Sequence, residues 1–267
     1  MTMKKECYTA EFKEVYDYCI DNDLYLGEGN PNARILIIGK ECAIAGSIYE
    51  KKEKDALDEN LKKWKSIIEN PFCIDLIKSE LKKQDIKYTN VYYPLFPHLG
   101  QKYLQRRKRK DGSYIGDKGT APTWYFYQKL VDIIMGNFEK KKENYIDFHL
   151  NSFHSELSQI PSAMSNTSPK ELVKNSIKKR SELFRKAFFR QFPIVILAAA
   201  HYPRDYSFNI QEIFDVKYEG QEKKENWINI HSQKTGTPRI LLHTRQLSMI
   251  SNDYIGEIAE LCKQFYK

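Results

Sequence analysis

Apolar residues recur along this chain in two ways. Phe12, Val15, Tyr16, Cys19 and Ile20 fall at helical spacing, which predicts an N-terminal amphipathic helix. "GEGNPN" then breaks the pattern. "ARILIIG" is different: a continuous apolar run that ends in glycine, as expected of a strand buried on both faces of a parallel sheet. A polar helical stretch runs through "DALDENLKKWKSIIEN". "IKYTNVYYPLF" reads as a strand or hairpin arm stopped by Pro94 and Pro97.

The second half repeats the alternation. "TWYFYQKLVDIIMGNF" predicts a helix with Thr123 as its cap. "YIDFHLNSFHSEL" contains a strand predicted to end near Asn151. "SPKELVKNSIKKRSELFRKAFFRQF" gives one or two helices with Ser168 as a cap. "PIVILAAAHYP" is a third apolar strand and "RILLHT" a fourth, and "NDYIGEIAELCKQFY" closes as a helix. Apolar strands separated by helices predict an α/β three-layer sandwich with a mostly parallel four-stranded central sheet. No repeat and no low-complexity linker divides residues 1–267, so a single domain is expected. The segment around 98–122 holds the run "QRRKRK" and several glycines, and reads as an inserted basic loop or exposed hairpin.

Composition narrows the function. A hydrophobic content of 41% with 13% aromatics fits a packed globular chain. A formal net charge of +8 favours a polyanionic partner such as DNA. The chain shows no apolar run of membrane-spanning length, and "MTMKKECYTAEF" does not read as a signal peptide, so a cytoplasmic protein is expected. The five cysteines are scattered with no CxxC pair, so neither a metal nor an iron–sulfur cluster is expected, nor any other cofactor.

In open parallel sheets ligands bind beyond the carboxyl ends of the strands. The strand exits here read "GKECAIAG", "NSFHSE", "AAAHYP" and "HTRQLS". They carry an acid, Glu41, an amide, Asn151, and a histidine, His243. An asparagine offers both a donor and an acceptor to the edge of a base. A histidine donates to a developing oxyanion, and a carboxylate orients water or faces a cationic sugar. Together they suit cleavage of an N-glycosidic bond.

These motifs resemble the uracil-DNA glycosylase superfamily. "GEGNPNARILIIGKECA" is similar to the "GEGNPDA" segment, strand and GE-x-PG loop of its thermostable members, and "GKECAIAG" resembles the "GQDPYHGPG" loop of the classical ones. "DFHLNSFH" resembles their "LLLNAVLT" strand, and "HTRQLS" their "HPSPLS" loop. The matches come in the family's order. The resemblance implies a four-stranded parallel sheet flanked by helices, Glu41 and His243 as catalytic residues, and Gly39, Cys42, Ala43 and Asn151 around the base. It offers Asn90, in "YTNVYYP", as a rival base reader. It further implies DNA contacts from Arg245 and from Leu247 as a wedge, to which the basic run adds Arg106, Arg107, Lys108 and Arg109. Cys42 and Ala43 replace the family's proline and tyrosine, and Thr244, Arg245 and Gln246 fill a loop that has lost both its prolines. The expectation is therefore a DNA glycosylase-like protein acting on uracil or another damaged base. A catalytically inactive nucleic-acid-binding protein of the same fold is the alternative.

Overall fold

The computed structural model describes residues 8–42, 49–69, 93–97, 101–105, 107–108, 114–115, 119–137, 145–162, 168–222, 225–233, 239–248 and 250–266. In chain order its elements begin with α1 (Ala10–Asn22), β1 (Glu28–Gly29), β2 (Ile35–Gly39) and α2 (Tyr49–Glu69). Short strands β3 (Lys102–Gln105), β4 (Arg107–Lys108), β5 (Tyr114–Ile115) and β6 (Gly119–Thr120) follow, then α3 (Pro122–Ile134). A 3-10 turn at Phe148–Leu150 leads into β7 (Ser152–Glu156), α4 (Lys170–Phe184), α5 (Ala187–Arg190) and β8 (Ile194–Leu197). The chain closes with α6 (Tyr202–Asp205), α7 (Ile210–Phe214), β9 (Lys217–Glu222), β10 (Ile228–Gln233), β11 (Arg239–Thr244) and α8 (Asn252–Lys263).

Among the described residues seven strands form one mixed sheet in the order β1-β7-β2-β8-β11-β10-β9. The inner four, β7, β2, β8 and β11, are parallel to one another. β1 is antiparallel to β7 at one edge, and the β10–β9 hairpin is antiparallel to β11 at the other. The fold class is thus α/β with a mostly parallel sheet centre, and the expected four strands are corrected to seven among the described residues. The additions escaped the hydrophobic pattern for physical reasons. β9 is an exposed edge strand, "KYEGQE", with no buried side to create alternation. β1 is two residues long, and Gly27 before it has a φ of +129° and packs so close to the carbonyl of His154 that a Cβ would lie 2.4 Å from that oxygen. The glycines read as a breaker are what let the chain lie against β7.

Alternate residues of the inner strands feed two cores. Leu36, Ile38, Phe153, Val195, Leu197 and Leu241 face one, with Phe12, Trp64, Phe184, Phe188, Phe189 and Phe192. Ile35, Ile37, Ile194, Ile196, Ile240 and Leu242 face the other, with Phe126, Leu130, Val131, Ile255, Ile258 and Cys262. Helices therefore cover both faces, and each large apolar side chain buried here contributes about 1.5–3 kcal/mol. In the first core Phe12 meets Trp64 and Phe188 with ring centroids 5.0 and 5.1 Å apart. Thr9 caps α1 through its side chain and Ser251 caps α8 likewise.

Local corrections follow the same logic. Ile20 is 44% exposed, outside the α1 stripe. Thr123 is not a cap, because Pro122, whose ring presets φ, opens α3. Pro169 rather than Ser168 stands before α4. The second inner strand begins at Ser152 instead of ending near Asn151, which closes the 3-10 turn. Its sheet faces bury serine, histidine and glutamate, so hydropathy misplaced it by a full strand. The basic segment is partly strand: β4 pairs with β5 and β3 with β6, and Tyr103 stacks on Tyr125 of α3 at 4.9 Å. No described helix is long and apolar enough to cross a membrane.

β7 is held by a buried cation. Arg180 of α4 is fully buried. It donates to the carbonyl of Glu156 at 2.6 Å, the carbonyl of Tyr25 at 2.5 Å and the hydroxyl of Ser155 at 2.8 Å. Replacing it with an apolar side chain leaves those acceptors without their donor, at about 1–3 kcal/mol for each buried group. Arg180→Met is expected to lower stability by at least about 3 kcal/mol in urea denaturation. A change below about 1 kcal/mol would show the clamp to be dispensable.

Candidate functional site

The carboxyl ends of the inner strands lie side by side. Beyond the strands, Leu157 N–H donates to the Gly39 carbonyl at 2.9 Å and Ser158 N–H to the Lys40 carbonyl at 2.8 Å. Ala200 N–H donates to the Thr244 carbonyl at 3.0 Å. The exits of β2 and β7 are thereby joined, as are those of β8 and β11.

Gly39, Glu41 and Cys42 stand at the β2 exit, and Ala43 lies outside the described residues. Glu41 is half-buried and Cys42 is exposed. The Lys40 ammonium sits over the Tyr202 ring, 4.9 Å from its centroid. Burial, then the charges of Asp205 and Glu41, push the Tyr206 phenol upward.

His243 is the penultimate residue of β11 and is buried. Its Nε2 lies 2.6 Å from the Ala200 carbonyl, so that nitrogen carries the proton and donates. Its Nδ1 then accepts from the Asn229 amide at 3.3 Å. Trp227 packs edge-on against the ring, 4.9 Å between centroids, and also lies against exposed His201 at 5.7 Å. Burial brings the imidazole down to about 4; the Ala200 carbonyl opposes this and His231 and His201 reinforce it. His243 is therefore neutral at pH 7 and fixed in one tautomer. Ala200, its partner, has a φ of +48°, a left-handed conformation that strains a residue other than glycine.

Two expected residues fall elsewhere. Asn151 is at the amino end of β7, so it sits at the opposite edge of the sheet from His243. Leu247 is fully buried in the second core, packed away from any duplex. The loop that carries it is tied down: the Tyr254 hydroxyl accepts from Arg245 N–H at 3.2 Å and donates to the Trp227 carbonyl at 2.9 Å. Asn90 lies outside the described residues, as do Arg106, Arg109 and the side chains of Arg107 and Lys108. Arg245 is exposed and donates to Asn226 at 3.0 Å.

What the β7 exit carries instead is Glu156, the end of a buried ionic chain. Glu28 of β1 lies opposite His154 of β7. One Glu28 oxygen is 3.5 Å from His154 Nδ1 and 3.7 Å from His149 Nε2. His154 Nε2 is 3.2 Å from Glu156 Oε1. Trp124 packs edge-on against His154 at 5.0 Å. Burial alone would raise the Glu28 carboxyl, but the two imidazoles overrule it and hold it well below the usual range. Burial works against a charge on His154, yet Glu156 and Glu28 on either side push it up to about 9. Burial lowers His149 against the pull of Glu28. The chain is thus carboxylate, imidazolium, carboxylate, with His149 neutral beside it.

Sequence reasoning missed this group, although its signal was present: in "NSFHSE" His154 and Glu156 are two apart, which places them on one face of a strand. Among the described residues no set of three His, Cys, Asp or Glu is placed to hold a metal ion.

The linkage has a definite sign. Folding raises the proton affinity of His154, so its stabilisation is complete below pH 6.5 and is lost as pH rises through about 9. Glu28 acts oppositely, stabilising above the ordinary carboxylate range and losing that on strong acidification. The unfolding free energy from denaturant titration is expected to fall from pH 6.5 to pH 9 by an amount on the order of a few kcal/mol, and His154→Gln to remove most of that slope. A flat profile in the unsubstituted protein would mean that His154 is not charged. Comparison with known proteins assigns the chain to no family: no family model matches it, and no curated protein is significantly similar.

Proposed function

We propose that this chain is a DNA glycosylase-like protein that hydrolyses the N-glycosidic bond of uracil or another damaged base. The observation that carries this reading is the emergence of Glu41 and His243 from β2 and β11 at one carboxyl edge, with His243 buried and neutral. A base leaving a sugar takes the bonding electrons and becomes an anion, while the sugar becomes oxocarbenium-like. A neutral imidazole N–H donates a hydrogen bond to such an anion. In this mechanism Nε2–H exchanges the Ala200 carbonyl for the departing base. Glu41 faces the cationic sugar and orients the attacking water.

Two observations favour the second reading, a nucleic-acid-binding protein without chemistry. Both His243 nitrogens are already paired within the chain, and Leu247 is buried.

Single-turnover base release separates the two. The panel comprises duplexes with uracil opposite guanine, single strands with uracil, and duplexes with hypoxanthine or 5-substituted pyrimidines. His243→Ala is expected to slow release on the order of 10²–10³-fold, the usual effect of losing one such donor, while DNA affinity stays nearly intact. Glu41→Gln should also slow it. Release from none of these by the unsubstituted protein, with DNA still bound, establishes the binding protein instead. The salt dependence of DNA affinity tests the basic run: each phosphate contact contributes about −0.9 to the log–log slope, so alanine at Arg106, Arg107, Lys108 and Arg109 should flatten it. An unchanged slope makes the run a solvated segment.

A further inference from the structure

Glu156 is 5% exposed and sits where β7 leaves the sheet, beside the β2 exit. His154 faces Oε1, but Oε2 is buried with no hydrogen-bond partner among the described residues. An unpaired buried carboxylate oxygen is costly, so its persistence at a strand exit points to a ligand donor. Gly39 makes the space: a Cβ there would lie 2.2 Å from Oε2, so the carboxylate can rest over this position only because the residue is glycine. Gly39 also begins the "GKEC" segment that delivers Glu41, so the carboxylate borders the loop assigned to the chemistry.

Resting on the glycosylase-like reading of this edge, we infer that Glu156 reads the base, and that its unpaired oxygen accepts a hydrogen bond from an exocyclic amino group. The ligand class is then an amino-bearing nucleobase, cytosine-like or guanine-like. Carboxylates accept from such amino groups, as in recognition of the cytosine N4 amine. Uracil presents a carbonyl oxygen where cytosine presents that amine, and two facing acceptors repel. This assigns to Glu156 the role that Asn151, at the wrong edge, cannot fill, and changes the preferred base with it. His154 is a positioning residue: its ring lies between the carboxylates of Glu28 and Glu156, at 3.5 and 3.2 Å, and holds the latter by charge.

The test is calorimetric or NMR titration of the full chain with matched nucleosides, cytidine against uridine and guanosine against inosine. The unsubstituted protein is expected to prefer the amino-bearing member of each pair by about tenfold or more, the scale of one well-made base contact. Glu156→Gln, checked for folding by circular dichroism, turns one acceptor into a donor and should reverse the cytidine–uridine preference. Equal affinities within both pairs, failure of all four to bind, or an unchanged preference in the folded variant each overturn the inference. Should the variant not fold, the pairwise preference of the unsubstituted protein decides alone. Base release from DNA carrying 5-methylcytosine as well as uracil, measured on the same preparation, keeps the two proposals apart. Nucleoside preference without release sinks the glycosylase reading and leaves Glu156 as a base reader. Release without an amino preference does the reverse.

Discussion

The structure depends on one constraint: four parallel strands must be covered on both faces. Parallel neighbours are joined through crossovers, and those crossovers place helices above and below the sheet. Apolar side chains of β2, β8 and β11 consequently feed two cores at once. With both faces sealed, the backbone and side chains at the strand ends are left to meet solvent and ligands. The carboxyl edge gathers Gly39, Glu41, Glu156, Ala200 and His243 for that reason.

β7 is the polar member of this apolar sheet, and the surroundings are built to tolerate it. Ser152 donates to the Phe148 carbonyl at 2.8 Å and Ser155 to the Leu26 carbonyl at 3.1 Å. Arg180 secures the face of Ser155, and the Glu28–His154–Glu156 chain lies on the other. Buried ion pairs contribute little net stability compared with apolar packing, but breaking one leaves an uncompensated charge. A one-residue slip of β7 would carry His154 and Glu156 into the aromatic core around Phe12 and Trp64. The polar chain therefore specifies register as well as charge.

At the other exits, rigidity comes from aromatic packing and backbone strain. Trp227 bridges His201 and His243, Tyr254 clamps the loop after β11, and Ala200 holds a left-handed conformation to present its carbonyl to His243. The neutral state of His243 is a product of burial. It is a property of the place, not of the residue type.

The sequence by itself determined the apolar strands at 35–39, 194–197 and 239–244, the first and last helices, and the α/β class, because burial on two faces leaves an uninterrupted apolar run that needs no partner to be recognised. It also determined that Glu41 and His243 follow such runs, hence that both leave the sheet at its carboxyl edge. Only the tertiary structure decided where β7 starts, because four of its five buried positions are serine, histidine and glutamate, whose burial depends on Arg180, Glu28 and Trp124 from distant segments. That decision moved Asn151 to the far edge and put Glu156 in its place. Tertiary packing likewise buried Leu247, which is as apolar as a wedge should be but belongs to the second core, with Tyr254 and Ile255. The edge strands β1 and β9 were invisible for a related reason: what holds them is backbone pairing with β7 and β10, and backbone groups are the same at every residue.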